Sequence, residues 1–235
     1  MARSINSITA QMMKALGEEN VVEFAHRVGI ESPLDPVPSL CLGVSDVSLY
    51  ELVGAYSTFV NNGIHTRPFY ITRIEDKHGN VIENFVPKTR QSINDQTAYK
   101  MVYMLMGGTE EAGGTSVGLP RELKLDNEIG GKTGTTNNAS DGWYLGITHN
   151  LVTGVWVGGD ERSIHFPSWQ FGQGTKSARP IWAAYMTKVY NDLSSGISKG
   201  KFKFPKSGID ISIDCARMSH PDSVKIDVKP WDINN

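Results

Sequence analysis

Cysteine is scarce in this chain: Cys41 and Cys215 are the only two in 235 residues, and they stand far apart. No Cys-x-x-Cys spacing exists, and whether the two thiols pair stays open, a disulfide being compatible with an oxidising compartment. The six histidines (His26, His65, His78, His149, His165 and His220) form no His-x-x-x-His pair. No metal and no cofactor is therefore expected. A basic excess is missing too: the formal net charge is −2, which argues against a nucleic-acid partner. No apolar run approaches the roughly 20 residues needed to span a membrane, and residues 1–15 lack the apolar region of a signal peptide. Apolar residues make up 39%, which excludes a disordered chain, and the length allows one or two domains with a sizeable core.

What is present reads as alternating helical and strand segments without an internal repeat. Ile8, Met12 and Leu16 form a helical stripe over Ser4–Leu16, ended by Gly17. Asn20 is placed to cap a helix over Val21–Val28 that stops at Gly29. A Pro-rich loop, Ser32–Pro38, precedes a helix capped by Ser48 that runs through Phe59 to Asn61-Asn62-Gly63. Phe69–Glu75 and Val81–Phe85 alternate like strands around Lys77-His78-Gly79-Asn80. Asn94 opens a helix through Met106, Gly107–Gly118 reads as a Gly-rich loop, and Ala178–Leu193 as a last helix. Met101, Met104 and Met106 read as core filling. Glu18-Glu19 and Glu110-Glu111 read as solvated or helix-terminal charges.

The most informative stretch is Gly130-Gly131-Lys132-Thr133-Gly134-Thr135-Thr136, which joins a cation, hydroxyls and glycines between Ile129 and a polar loop. Lysine and threonine can hold an anion, and glycines let backbone approach a ligand closely. A phosphate-binding P-loop needs glycine five residues before Gly131, where Asp126 stands, and a helix directly after Lys-Thr. That reading fails. Asp141–His149 and Leu151–Val157 instead alternate as strands around a His149-Asn150 turn, which places Lys132 on a strand followed by two antiparallel neighbours. Lys-Thr-Gly alone also matches an ordinary strand end, so its context decides.

In context, Gly-Lys-Thr-Gly-Thr-Thr-Asn from Gly131, Asp-Gly-Trp-Tyr-Leu-Gly from Asp141 and Val-Thr-Gly-Val-Trp-Val-Gly from Val152 resemble the transpeptidase domain of class A (bifunctional) penicillin-binding proteins. So do Pro38–Ser48 and Ala55–Gly63, followed by Arg67-Pro68. The resemblance runs from about Met1 to about Leu193. It implies an α+β fold, a mostly antiparallel sheet packed with helices, over residues 1–198, with 199–235 a tail of unknown role. A serine β-lactamase or carboxypeptidase shares the motifs but not the match across Ser39–Gly63.

Three motifs build the site in that family: Ser-x-x-Lys, Ser-x-Asn and Lys-Thr-Gly. Ser4-Ile5-Asn6 resembles the second and Lys132-Thr133-Gly134 the third. The first is expected a few dozen residues before Ser4, so the nucleophile is expected to lie outside this chain. The one Ser-x-x-Lys within it, Ser198-Lys199-Gly200-Lys201, resembles an exposed linker. The resemblance further implies that Ser4 relays a proton, Asn6 holds the absent lysine, and Lys132 supplies positive charge for a substrate carboxylate. Thr133 and Thr135 would donate to that carboxylate and Thr135 N–H to the oxyanion. Gly134 would admit the substrate along the strand, and Thr136, with Asn137, would shape the site's edge. Trp143, Tyr144 and Trp156 are expected to be sheet or core residues. Implied partners are stem peptides ending in D-Ala-D-Ala, β-lactams, and an upstream glycosyltransferase domain with a membrane anchor. Implied location is the periplasmic or extracytoplasmic side of the cell envelope. The chain alone is expected to be inactive, and apolar surface left uncovered would favour self-association into a homo-oligomer. The alternative is a non-catalytic binding or structural module with the same fold.

Overall fold

The computed structural model describes residues 1–209. Seven helices and seven strands follow one another along them, and every strand pair is antiparallel. The centre is a three-stranded sheet, β5 (Gly130–Thr135), β6 (Asp141–Ile147) and β7 (Val152–Gly158), in sequential order. Its register pairs Lys132 with Leu145, Thr133 with Tyr144 and Thr135 with Gly142. Among the described residues the outer edge of β5 carries no partner strand.

Alternation along the strands sends side chains to two covered faces. On one face, Ile147 joins Val28, Phe59, Val102 and Leu105 from helices α2 (Glu18–Val28), α3 (Leu49–Val60) and α4 (Asp95–Glu110). On the other, Tyr144 meets Trp182 and Met186 of α7 (Ala178–Asn191), the two rings edge to face at 5.3 Å. Each fully buried aliphatic side chain contributes about 1.5–3 kcal/mol. Trp182 Nε1–H donates to Thr153 Oγ1 at 2.5 Å, so its polar atom is satisfied inside that layer.

The capping signals of α3 and α4 read correctly. Ser48 and Glu51 form a reciprocal capping box, and Asn94 accepts from Thr97 N–H. Glu51 does more, because its carboxylate also accepts from Ser32 Oγ–H and from the N–H groups of Glu31 and Ser32, fastening that loop to α3. Burial works to raise its pKa, but the bonds from Ser48 and Ser32 prevail and bring it down to about 2.

Several boundaries differ from the sequence reading. Helix α1 (Asn6–Leu16) buries Met13, while Ile8 and Met12 of the expected stripe face outward, 51% and 56% exposed. Asn20 does not cap α2: Gly17, at φ 84°, breaks the two helices apart, and the Asn20 amide donates back to Leu16 O at 2.7 Å. α4 continues through the expected glycine loop to Glu110, because Gly107 and Gly108 lie inside it; a Cβ on Gly108 would sit 2.8 Å from Gly131 O. Met104 is exposed rather than core filling. α7 ends at Asn191, before Leu193, which opens a short 3-10 turn.

Four further elements had no clear sequence signal. The strands β1 (Ile64–Thr66) and β4 (Thr89–Gln91) pair across the chain, and α5 (Arg121–Lys124) and α6 (Trp169–Gly172) are single turns. β2 (Arg73–Glu75) and β3 (Val81–Asn84) form the expected hairpin, shorter on the β2 side. Of the expected tail, residues 199–209 are described: Phe202 is buried in the α3–α4 layer and Glu128 N–H donates to Gly200 O. Cys215 and any pairing of it lie outside the described residues. Among the described residues no helix is long and apolar enough to cross a membrane.

Candidate active site

The glycines that open the β5 motif serve packing. A Cβ on Gly130 would lie 2.9 Å from Ile147 and 3.0 Å from Leu105, and one on Gly131 2.3 Å from the Tyr144 hydroxyl. α4 and β6 therefore press directly on the β5 backbone, where Thr109 Oγ1–H donates to Ile129 O at 2.5 Å. A Cβ on Gly134 would be 3.1 Å from Trp143 Cβ, so this glycine too eases a cross-strand contact.

Alternation then divides the motif. Lys132, paired with Leu145, points to the α4 face; Thr133 and Thr135, paired with Tyr144 and Gly142, point to the α7 face. Lys132 Nζ donates to Ser4 Oγ at 2.8 Å and to Thr133 O at 2.7 Å. Burial of this half-buried ammonium pushes its pKa below the ordinary 10.5.

Ser4 reaches Lys132 because the segment ahead of α1 is tied to the loop after α4. Thr115 N–H donates to Ala2 O and Arg3 Nε–H to Ala112 O, both at 3.1 Å. Ser4 itself sits in the left-handed region at φ 54°, a conformation costly for a residue with a Cβ. Ile5 holds the cap position of α1, and no side chain caps that helix. The Ser4 hydroxyl accepts the lysine proton, which leaves its own O–H free to donate. Asn6, the first residue of α1, is exposed and takes no part in the Ser4–Lys132 contact.

The end of β5 is fixed by a network that sequence reasoning missed. Thr136 Oγ1 accepts from Asp141 N–H at 2.9 Å and lies 3.0 Å from Ser140 Oγ, so its side chain closes the β5–β6 turn. Asp141 accepts from Ser140 Oγ–H at 2.8 Å and from Trp156 Nε1–H at 2.9 Å, joining β7 to that turn. Tyr144 is buried as expected of a core residue, whereas Trp156 is 39% exposed beside this turn. Thr135 Oγ1 accepts from Gly174 N–H at 3.0 Å. The closely spaced Gly172 and Gly174 ahead of α7 were the available signal, since glycines at such spacing mark close backbone approach.

A concavity of about 460 Å³ lies elsewhere, lined by none of these residues; His26, Glu31, His65, Arg67, Lys88 and Arg90 surround it. Ser198 and Lys201 lie outside any helix. Among the described residues no three His, Cys, Asp or Glu side chains could share a metal ion.

Residues 1–163 match the sequence model of the penicillin-binding protein transpeptidase domain. The chain belongs to the class A penicillin-binding protein transpeptidase family. Its relatives include penicillin-binding protein 1A of Aquifex aeolicus, 34% identical over 218 residues, covering 91% of this chain and 28% of that protein. Penicillin-binding protein 2D of Bacillus subtilis is 30% identical over 91% of this chain and 30% of its own length. Among solved structures, penicillin-binding protein 1A of Haemophilus influenzae matches with a TM-score of 0.75 at 25% identity, covering 87% of this chain and 35% of that one. The chain thus spans under a third of the length of these two curated relatives.

Proposed function

We propose that this chain is the later part of a D,D-transpeptidase domain that crosslinks peptidoglycan stem peptides ending in D-Ala-D-Ala and takes β-lactams at the same site. The carrying observation is the 2.8 Å hydrogen bond from Lys132 Nζ to Ser4 Oγ, which joins two of the three family motifs across 128 positions. Lys132 lies on β5, whose outer edge has no partner strand among the described residues and where an extended peptide can add as a further strand.

The chemistry follows from that geometry. A serine nucleophile, supplied from polypeptide outside this chain, attacks the carbonyl of the D-Ala-D-Ala amide. The C–N bond breaks and an acyl-enzyme forms. Thr136 N–H donates inward to Asp141 O, so strand alternation turns Thr135 N–H to the open edge, where it can hold the oxyanion. Ser4, its oxygen engaged by the Lys132 ammonium, passes its proton to the leaving amine and is reprotonated through the lysine of the absent Ser-x-x-Lys segment, which Asn6 orients. Thr133 and Thr135 donate to the substrate carboxylate from one face of β5 while the Lys132 ammonium supplies positive charge from the other, Gly134 leaves the substrate's path along the strand unobstructed, and Thr136 with Asn137 bounds the site. An upstream glycosyltransferase domain, a membrane anchor and a periplasmic or extracytoplasmic location belong to the same reading. Exposed Ile5, just ahead of α1, and Ile8 and Met12 on it give a surface through which the chain alone would self-associate.

The test uses this chain beside a polypeptide extended upstream through the Ser-x-x-Lys segment. Both are incubated with a fluorescent penicillin and weighed intact. An adduct on the longer polypeptide alone is expected. An unlabelled longer polypeptide would overturn the transpeptidase reading in favour of a non-catalytic module.

A further inference from the structure

The segment 172–177, from the last residue of α6 to the start of α7, lies backbone against backbone on the sheet beside Thr135. A Cβ on Gly142 would sit 2.1 Å from Ser177 Oγ, and one on Gly172 2.4 Å from Ala139 Cβ. One on Gly174 would meet the carbonyl oxygens of Trp143 and Gly134 at 2.4 Å and 2.6 Å. At Gly174 those contacts are backbone, which no side-chain rotation can relieve. The segment is also braced from within, Lys176 and Ser177 N–H donating to Gln173 O at 2.7 Å and 2.9 Å, and Arg179 N–H to Gly174 O at 2.8 Å. Held in this way, Gly174 N–H reaches Thr135 Oγ1 at 3.0 Å.

A threonine hydroxyl has one proton and two lone pairs. A backbone N–H on one lone pair forces the hydroxyl proton away from that donor. Thr135 is exposed at the end of β5, and no acceptor among the described residues takes that proton. It is therefore available to a ligand at the strand's open edge. We propose that the Gly172–Ser177 segment is a positioning element of the acyl-transfer site, in which Gly174 N–H fixes the Thr135 hydroxyl as a donor to the ligand's carboxylate. This rests on the transpeptidase reading and adds to it a group that does not touch the substrate. Substrate and segment approach Thr135 from different sides, so the segment sets carboxylate preference without taking part in bond making.

The experiment compares acylation rates of the full polypeptide, including its Ser-x-x-Lys segment, by a penicillin with a free carboxylate and by its methyl ester. Gly174→Ala is expected to lower the rate with the free carboxylate about tenfold and to leave the ester's rate unchanged. Thr135→Ser, which keeps both donor and acceptor, retains the carboxylate preference. Equal loss for both ligands, or none for either, overturns the proposal and leaves the transpeptidase reading standing. No acylation of the wild type overturns that reading and the proposal with it. If Gly174→Ala does not fold, amide hydrogen exchange in this chain decides. Thr135→Val is expected to speed exchange at Gly174 and Thr135→Ser to leave it slow, whereas unchanged exchange in Thr135→Val overturns the proposal.

Discussion

Two antiparallel β-structures in this molecule share the same local signal and differ in what surrounds them. In the β5–β7 sheet, Tyr144 is fully buried against the equally buried Trp182 of α7, and helices press on both faces. In the β2–β3 hairpin every strand residue is exposed, with Ile74 at 40% and Ile82 at 64%. The hairpin is held by its turn, where the Asp76 carboxylate accepts from the N–H groups of His78 and Asn80 and from the Asn80 amide. A two-stranded ribbon of this kind is only marginally stable on its own. The sheet instead gets its geometry from packing, and that rigidity is what lets a single strand present Lys132 to one side and Thr135 to the other. Alternating sequence makes a ribbon, but covered faces make a platform for chemistry.

The sharpest way to break this contrast is Trp182→Ala, which removes the ring from Tyr144 and leaves Thr153 Oγ1 without its donor. A loss of about 4 kcal/mol is expected, measured by urea unfolding. Glu51→Ala should cost less, about 1–2 kcal/mol after solvent screening, because it releases the 31–32 loop and the cap of α3 together. The same carboxylate predicts a pH effect. Its folded value of about 2 lies below the ordinary 4.5, so its contribution is present above 4.5 and is lost as pH falls towards 2. Acid titration of stability should show this loss in the wild type and not in Glu51→Ala. Asp76→Ala should speed amide exchange in the hairpin turn without moving the main transition. Ile82→Thr, on an exposed strand, should change stability by no more than about 0.5 kcal/mol. A large effect there would mean that the hairpin belongs to the cooperative core.

What could be read from sequence was what rests on local chemistry. The caps at Ser48 and Asn94 were legible because their side chains serve backbone three residues away. The Lys132 strand and its two neighbours were legible because alternation and a short turn are local as well. The α1 face was misread because apolar spacing says that a stripe exists, while only the tertiary neighbours decide that Met13 is buried and Met12 is not. The glycines of the motif read as openings for a ligand, yet Gly130 and Gly131 are set by Ile147, Leu105 and Tyr144, none of them near in sequence. The Gly174–Thr135 and Asp141–Trp156 bonds span 39 and 15 positions and depend on how the chain returns to the sheet. The approach of Ser4 to Lys132 was accessible only through family resemblance, since nothing local links residues 128 apart.

The central claim is that Ser4 and Lys132 act as one unit in acyl transfer. A double-mutant cycle tests it, with Ser4→Ala and Lys132→Ala, singly and together, in the polypeptide that includes the Ser-x-x-Lys segment. The rate of acylation by penicillin is the quantity followed. The double variant should be little slower than the worse single variant, giving a coupling of at least about 1 kcal/mol. Losses that add within about 0.5 kcal/mol would mean that the two residues contribute separately, and the shared role assigned to their hydrogen bond would be wrong.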